Sequence, residues 1–250
     1  VIPFYNEENM IQKMYDELVK EINQITKAEF EIIFINDGSK DRTFERMLAI
    51  AAGDSRVKYI SFSRNFGKEA GTIAGLEYAT GEAVILMDGD LQHPPAMLPQ
   101  MIEAYEQGYD VVSARRTRTG EKRHRTFLAK HFYKLANKMM DIELMDGVSE
   151  FRLFSRKVVN AIISMQEYNR FSKGIFAWIG FNEKVIEYEN QVRTVGETKY
   201  SLKFSLNYAI QGILSFNDKP LRMCINFGLF CLLISLAYVL WTFVQYFVAP

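Results

Sequence analysis

Ala83-Val84-Ile85-Leu86-Met87-Asp88-Gly89-Asp90, residues 83–90, is a run of five apolar residues leading directly into two carboxylates spaced by one glycine. A short continuous apolar run that ends in turn residues reads as a strand buried on both faces, the kind that parallel sheets contain. The same grammar repeats on either side of it. Phe30 to Ile35 is a strand ending at Asn36-Asp37-Gly38-Ser39, and Val57 to Phe62 is another. Ile11, Met14, Tyr15, Leu18, Ile22 and Ile25 fall on one face of a helix, and Phe44, Met47, Leu48 and Ala51 share one side of a second. Lys68 to Tyr78 reads as a third helix, stopped at Thr80-Gly81. Beyond the acidic pair, Pro95 opens a further helix, where proline's missing N–H costs nothing, and Asp110 to Ala114 is a strand. This β-α-β repetition predicts an α/β fold with a mostly parallel sheet and helices on both faces.

Such sheets bind ligands beyond the carboxyl ends of their strands. The polar clusters sit there: Asn6-Glu7 after a first strand, Asp37-Gly38-Ser39 after the next, and Asp88-Gly89-Asp90 after a later one. They are expected to converge on one crevice. Two carboxylates flanking a glycine offer hard oxygen ligands to Mg²⁺ or Mn²⁺, with substrate phosphates completing the shell. Gln92 and His93 follow at once and offer a neutral ligand or a hydrogen bond. An acidic surface turn is the alternative for the triplet. A turn with Ser39 or Asp41 capping the next helix is compatible with Asp37 facing the crevice and holding a base or ribose.

Composition narrows the function class. The 250-residue chain has a formal net charge of zero, which gives no support to a nucleic-acid binder. Cys224 and Cys231 are the only cysteines and show no metal-ligand spacing. Val1 to Lys219 carries charge throughout, whereas Met223 to Val248 has no Asp, Glu, Lys or Arg. That run is long enough for a membrane-spanning helix, with a buried core helix as the alternative. Lys219 and Arg222 before it predict a cytoplasmic location for the preceding domain, and Trp241 and Tyr246 suit the far interface. Ser201 to Phe216 is amphipathic and suits either the membrane interface or packing on the sheet. Arg115 to Arg125 reads as a basic loop, and Phe127 to Met140 as an amphipathic helix. The expected organisation is a catalytic domain over 1–200, an interfacial segment over 201–221 and a transmembrane helix over 222–250. The opening Val-Ile-Pro, the tail of a strand with no initiator Met, suggests a segment of a longer chain.

Several motifs in fixed order carry a family resemblance. They are Pro3-x-Tyr5-Asn6-Glu7, Asn36-Asp37-Gly38-Ser39-x-Asp41-x-Thr43, Arg64-Asn65-Phe66-Gly67-Lys68 and Asp88-x-Asp90-Leu91-Gln92-His93-Pro94. Gly147 to Leu153, Arg170-Phe171, Trp178 to Phe181 and Arg193-x-x-Gly196-x-Thr198-Lys199-Tyr200 follow. Together they resemble the family 2 polyprenyl-phosphate glycosyltransferases of the GT-A, Rossmann-like fold, the group of dolichyl-phosphate mannose synthase and the bactoprenol glucosyltransferases.

The resemblance implies a membrane enzyme of the cell envelope. It would move a sugar, UDP-glucose being the favoured donor, onto a polyprenyl phosphate such as undecaprenyl phosphate at the cytoplasmic face, with inversion. It implies that Pro3, Tyr5, Glu7, Asp37, Asp88, Arg193 and Lys199 hold the nucleotide-sugar. Asp88, Asp90 and Gln92 would hold Mg²⁺ or Mn²⁺. Arg116, Arg125 and Lys130 would meet the acceptor phosphate, and Asp90 and Glu150 would be the catalytic carboxylates. The family usually has Asp where Glu150 stands, so an orienting role is expected of it rather than proton transfer; an anionic phosphate needs little help from a base. A homo-oligomer is compatible with these features. The rival readings are a transferase of the same fold with another acceptor and a non-catalytic membrane scaffold.

Overall fold

The computed structural model of the chain describes residues 1–117, 137, 145–167, 170–189, 212, 215, 217 and 219–248. Ile2–Phe4 (β1), Ile32–Asn36 (β2) and Val57–Ser61 (β3) pair in parallel, in the order β1-β2-β3. Ala83–Leu86 (β4), Val111–Arg116 (β5), Val148–Ser155 (β6) and Glu183–Tyr188 (β7) form a second sheet in the order β4-β6-β5-β7. The Val1 nitrogen donates to Ile85 O at 2.8 Å, and Met87 N–H donates to Val1 O at 3.2 Å. This pair of bonds, spaced as in a parallel ladder, stitches β4 beside β1 and joins the two sheets edge to edge.

Helices Ile11–Ile22 (α1), Thr43–Gly53 (α2), Lys68–Tyr78 (α3) and Leu98–Glu106 (α4) follow β1, β2, β3 and β4 in turn. Arg156–Ser164 (α5) follows β6, and Ser172–Trp178 (α6) precedes β7. Helices cover both faces because successive strand side chains point to opposite sides. Ile32 and Phe34 of β2 join the core that α1, α2 and α4 cover, with Met14, Met47 and Met101. Ile33 and Ile35 join the core under α3, α5 and α6, with Leu76, Val159 and Ile175. Both faces of β2 are therefore dry, which is why all five of its residues are buried.

The α/β class and the parallel core are as the sequence reading expects, with three differences. Strand β6 runs antiparallel to both neighbours, β4 and β5, with Ala83 opposite Ser155 and Val111 opposite Phe154. Of the expected apolar face of α2, Met47 is buried and Phe44 and Ala51 pack against the same core, but Leu48 is 37% exposed and Ile50 is buried in addition. Pro95 opens a 3-10 turn, Pro95–Met97, and α4 itself starts at Leu98. The helix expected over 127–140 and the amphipathic helix over 201–216 lie outside the described residues, save single helical positions at 137, 212 and 215.

Lys219–Val248 (α7) is a 30-residue helix, and its segment Leu221–Val248 is long and apolar enough to cross a membrane, with none of the apolar window buried. At 1.5 Å per residue the segment extends roughly 40 Å, against about 30 Å for a bilayer core. Two of its hydroxyls bond inside the helix: Ser235 Oγ donates to Cys231 O at 2.9 Å and Thr242 Oγ1 to Tyr238 O at 3.1 Å.

Candidate active site

The loops after β1 and β2 are laced together by side chains that cap backbone amides. Ser39 Oγ accepts from Asn6 N–H at 3.0 Å, Thr43 Oγ1 from Glu7 N–H at 2.8 Å, and Asp41 Oδ2 from Glu8 N–H at 3.1 Å. In return, Asn6 Oδ1 accepts from Lys40 N–H at 2.8 Å. Asn6 adopts φ +52°, a conformation asparagine tolerates better than most residues. This mesh fixes where Tyr5 and Glu7 leave the sheet. Asn36, buried at the end of β2, accepts from Ser39 N–H and donates to Ser61 Oγ, tying the loop down to β3.

Asp37 is buried, and its two oxygens accept from Phe66 N–H at 2.7 Å and Gly67 N–H at 3.0 Å. Burial raises its pKa, and these two amides pull it back part of the way. Its observed work is to hold the Arg64–Lys68 segment against the β2 loop. Gly38, with φ +63°, leaves room for that segment: a Cβ there would lie 2.2 Å from the Arg64 carbonyl carbon.

The acidic triplet follows β4 directly. Gly89 passes over the buried Phe4 ring, and a Cβ on it would lie 2.3 Å from Phe4 Cε1. Any other residue would lift one of the carboxylates or displace the ring. Asp90 Oδ1 accepts from Gln92 N–H at 3.1 Å. Leu91 adopts φ +60°, costly for a branched side chain, and its packing against the core holds it there. His93 is buried and stacked on Phe151, with ring centroids 5.1 Å apart. Its Nδ1 accepts from Asp88 N–H at 2.9 Å. Burial pushes the His93 pKa down, only partly offset by Asp88, so the neutral ring carries its proton on Nε2, 3.7 Å from Asp88 Oδ2. His93 therefore sets the geometry of Asp88 rather than offering a free ligand nitrogen.

One cation binds the acidic groups together. Lys68 Nζ lies 2.5 Å from Asp88 Oδ1 and 2.6 Å from Glu150 Oε2. Burial pulls the Lys68 ammonium down, but the Asp88 and Glu150 carboxylates more than reverse this and leave it well above its ordinary value. Burial raises Asp88, and chiefly the Lys68 ammonium outweighs it and holds its carboxyl below the usual range. The next residue, Glu69, accepts from Ser172 N–H and Oγ at the start of α6. The first turn of α3 thus reaches β4, β6 and α6 at once. Sequence reading took Lys68 only as part of a motif; a lone lysine opening a helix carries no local sign of a buried partner.

The structure brings together Asp88, Glu150 and, through the backbone of the same turn, Asp90 and Gln92. Pro3 lies in β1 beside α3, and Tyr5 and Glu7 in the turn after it. Arg116 ends β5, its N–H bonded to Gly147 O where the β5–β6 register shifts. Arg125, Lys130, Arg193 and Lys199 lie outside the described residues. Arg152, two residues beyond Glu150, is buried against Glu183 at 3.3 Å and over the Phe176 ring, so it braces β6 instead of facing a ligand. Among the described residues no three His, Cys, Asp or Glu side chains converge to hold a metal ion. A closed cage is not what Mg²⁺ or Mn²⁺ requires beside a diphosphate; one or two carboxylates suffice, with phosphates and water. Asp88 and Asp90 fit that sparse donor set, and Asp88 already grips a cation, the Lys68 ammonium.

Known proteins resemble this chain in sequence and in fold. Residues 1–163 match the model of glycosyl transferase family 2. CsbB of Bacillus subtilis (strain 168), named as a glycosyltransferase, is 50% identical over 98% of the chain and 74% of its own length. The bactoprenol glucosyl transferase of Shigella phage SfX is 42% identical over 98% of the chain and 80% of its own length. Among solved structures, a mannosyltransferase from Pyrobaculum calidifontis in complex with GDP-Man and Mn²⁺ superposes with TM-score 0.52 at 19% identity. That match covers 74% of this chain and about half, 53%, of the other. Glucosyl-3-phosphoglycerate synthase from Mycobacterium tuberculosis, with Mn²⁺ and UDP, gives 0.51 at 19%, covering 85% of this chain and 75% of the other. These two carry the GT-A fold.

Proposed function

The chain belongs to glycosyl transferase family 2, and from that premise we propose that it transfers a sugar from a nucleotide-sugar, UDP-glucose first, to the phosphate of a membrane-held polyprenol such as undecaprenyl phosphate. The observation that carries the acceptor class is that 42% identity to a protein named bactoprenol glucosyl transferase extends over 98% of the chain. That extent takes in α7, the bare apolar helix. A soluble acceptor gives no reason for such a helix; an acceptor confined to the bilayer does. Lys219 and Arg222 beside it support a cytoplasmic catalytic domain.

The donor would lie across the carboxyl ends of β1, β2 and β4. Pro3, Tyr5, Glu7 and Asp37 would hold the nucleoside end, with Arg193 and Lys199 on the phosphates. A divalent cation, Mg²⁺ or Mn²⁺, held by Asp88, Asp90 and Gln92 would neutralise charge on the diphosphate. Gly89 keeps both carboxylates at one edge, and His93 fixes the backbone of Asp88. A phosphate oxygen of the lipid, met by Arg116, Arg125 and Lys130, attacks the anomeric carbon from the face opposite the diphosphate. The carbon–oxygen bond to the diphosphate breaks as the new one forms, the nucleoside diphosphate leaves with the electron pair, and the configuration inverts. Glu150 orients the acceptor; no proton needs to move, since the attacking phosphate is already anionic.

The test is transfer of labelled sugar from a panel of UDP- and GDP-sugars to undecaprenyl phosphate in detergent, with Mn²⁺, Mg²⁺ or chelator, for wild type and Asp90→Asn. Label in the lipid phase that requires the cation and disappears in the variant is the expected result. Label that appears only on a water-soluble acceptor would replace the polyprenol in this reading.

A further inference from the structure

We propose that Lys68 is an internal counter-ion that stands in the cation position of the donor site until the metal-bound nucleotide-sugar arrives, and that it then turns from Asp88 to Glu150 and the substrate phosphates. The proposal rests on the metal-dependent transfer proposed above.

The geometry is specific. Lys68 Nζ touches a carboxylate oxygen on β4's carboxyl end and another on β6, at 2.5 and 2.6 Å. Its side chain is one-third exposed, and those of Asp88 and Glu150 are 31% and 15% exposed. A bare pair of carboxylates this close and this sheltered repels itself, and one ammonium between them relieves that cost. Other charges face the same spot: Asp90 beyond Gly89, Glu69 on α3 near Glu150, and Lys173 on α6, whose charge Asp88 feels. Lys68 alone among the described cations makes contact with both acids.

An oxygen engaged by an ammonium at 2.5 Å is not free to bind a divalent cation, and two cations on one carboxylate repel. A metal that takes Asp88 Oδ1 without nucleotide therefore displaces Lys68 from it. A metal arriving with a diphosphate brings the anionic oxygens that give the displaced ammonium a new partner. Lys68 would thereby make cation binding depend on nucleotide-sugar, and its release towards Glu150 would place a positive charge where the acceptor phosphate must approach. Lys68 acts here as a positioning residue through Asp88 and Glu150.

The experiment measures Mn²⁺ binding to the full chain in detergent, by the paramagnetic resonance signal of free Mn²⁺, with and without UDP. Wild type should bind Mn²⁺ weakly alone and more tightly with UDP. Lys68→Met should bind Mn²⁺ alone on the order of tenfold more tightly, because a unit positive charge has left the neighbourhood of Asp88. The same variant should melt at lower temperature and recover on adding Mn²⁺. Lys68→Arg, which keeps the charge, should stay near wild type. If Lys68→Met does not fold, the charge-balanced pair Lys68→Met with Glu150→Gln tests the same point, again with tighter Mn²⁺ binding expected. Equal Mn²⁺ affinity in wild type and in whichever neutral variant folds would overturn the role. None of these readouts needs sugar transfer. A Lys68 effect without any transfer in wild type would keep this role and remove the proposed reaction, and transfer without a Lys68 effect would do the reverse.

Discussion

Gly89→Ala is the most informative single substitution in the site, because one added methyl must disturb either the core or the acidic pair. An ideal Cβ on Gly89 would lie 2.3 Å from Phe4 Cε1, 2.6 Å from Cδ1 and 3.0 Å from Cζ. Carbon atoms settle at about 3.5–4.0 Å, so something must move by roughly 1 Å. Phe4 is 2% exposed and packs edge-on to Phe34 at 5.3 Å, so its ring has no free space to enter. If the ring moves, overpacking costs about 1–3 kcal/mol of stability. If the loop moves, Asp88 and Asp90 shift by about 1 Å and the transfer rate falls by about 10²-fold. The assay pairs thermal melting with metal-dependent sugar transfer. Phe4→Leu supplies the internal control: it removes Cε1 and Cζ, two of the three ring atoms that the methyl meets. The double variant Phe4→Leu with Gly89→Ala should therefore be less damaged than the two single effects added together. A Gly89→Ala enzyme with wild-type melting and wild-type rate would refute the claim that the tight passage over Phe4 sets the carboxylates.

Asp37→Asn leaves one oxygen to serve two amides, so one of Phe66 N–H and Gly67 N–H loses its partner; a loss of about 1–3 kcal/mol is expected in urea unfolding, with faster hydrogen exchange at those two amides. His93→Phe keeps the ring against Phe151 but removes the acceptor for Asp88 N–H, so sugar transfer should fall by roughly 10- to 100-fold, with a stability loss of about 1–3 kcal/mol; equal activity would show that the imidazole does not position Asp88. Glu31 predicts an acid-sensitive contact: burial raises its pKa, but Lys58, Thr80 and Gly81 outweigh this and hold it at about 2 against an ordinary 4.5. Its folded-state pKa is depressed, so its stabilisation is full above about pH 4.5 and disappears as pH falls towards 2. Glu31→Gln should flatten the pH dependence of melting in that window.

The sequence showed the first half of the fold clearly because each early strand is one apolar run ending in a polar turn. Phe30 to Ile35 and Ala83 to Met87 need no distant information to be read, since their burial on both faces is written in consecutive residues. Strand β6 was harder. Val148–Ser155 alternates Ser, Glu and Arg with Phe and Leu, and its direction depends on partners at Ala83–Leu86 and Val111–Arg115, far away in the chain. No local pattern encodes an antiparallel insertion between parallel neighbours. The acidic triplet was legible as a candidate site because its two carboxylates are neighbours in sequence. Lys68 and the amides that occupy Asp37 were not, because each acts through a contact made only when β2, β4, β6 and α3 assemble; His93, expected as a ligand or hydrogen-bond partner, makes its bond to Asp88 N–H within the same turn. Glu150 was singled out for being Glu where the family usually has Asp, and the structure gives the longer side chain a partner in Lys68.

The central claim is tested most directly by the product. The full chain, reconstituted with undecaprenyl phosphate and given UDP-glucose and Mn²⁺, should convert the lipid to its hexosyl phosphate. Mass spectrometry of the lipid fraction should show one added hexose, and NMR should show an anomeric configuration opposite to that of the donor. Unmodified lipid beside intact, folded enzyme with every nucleotide-sugar offered would contradict the proposed acceptor, and a product retaining the donor's configuration would contradict the single in-line displacement.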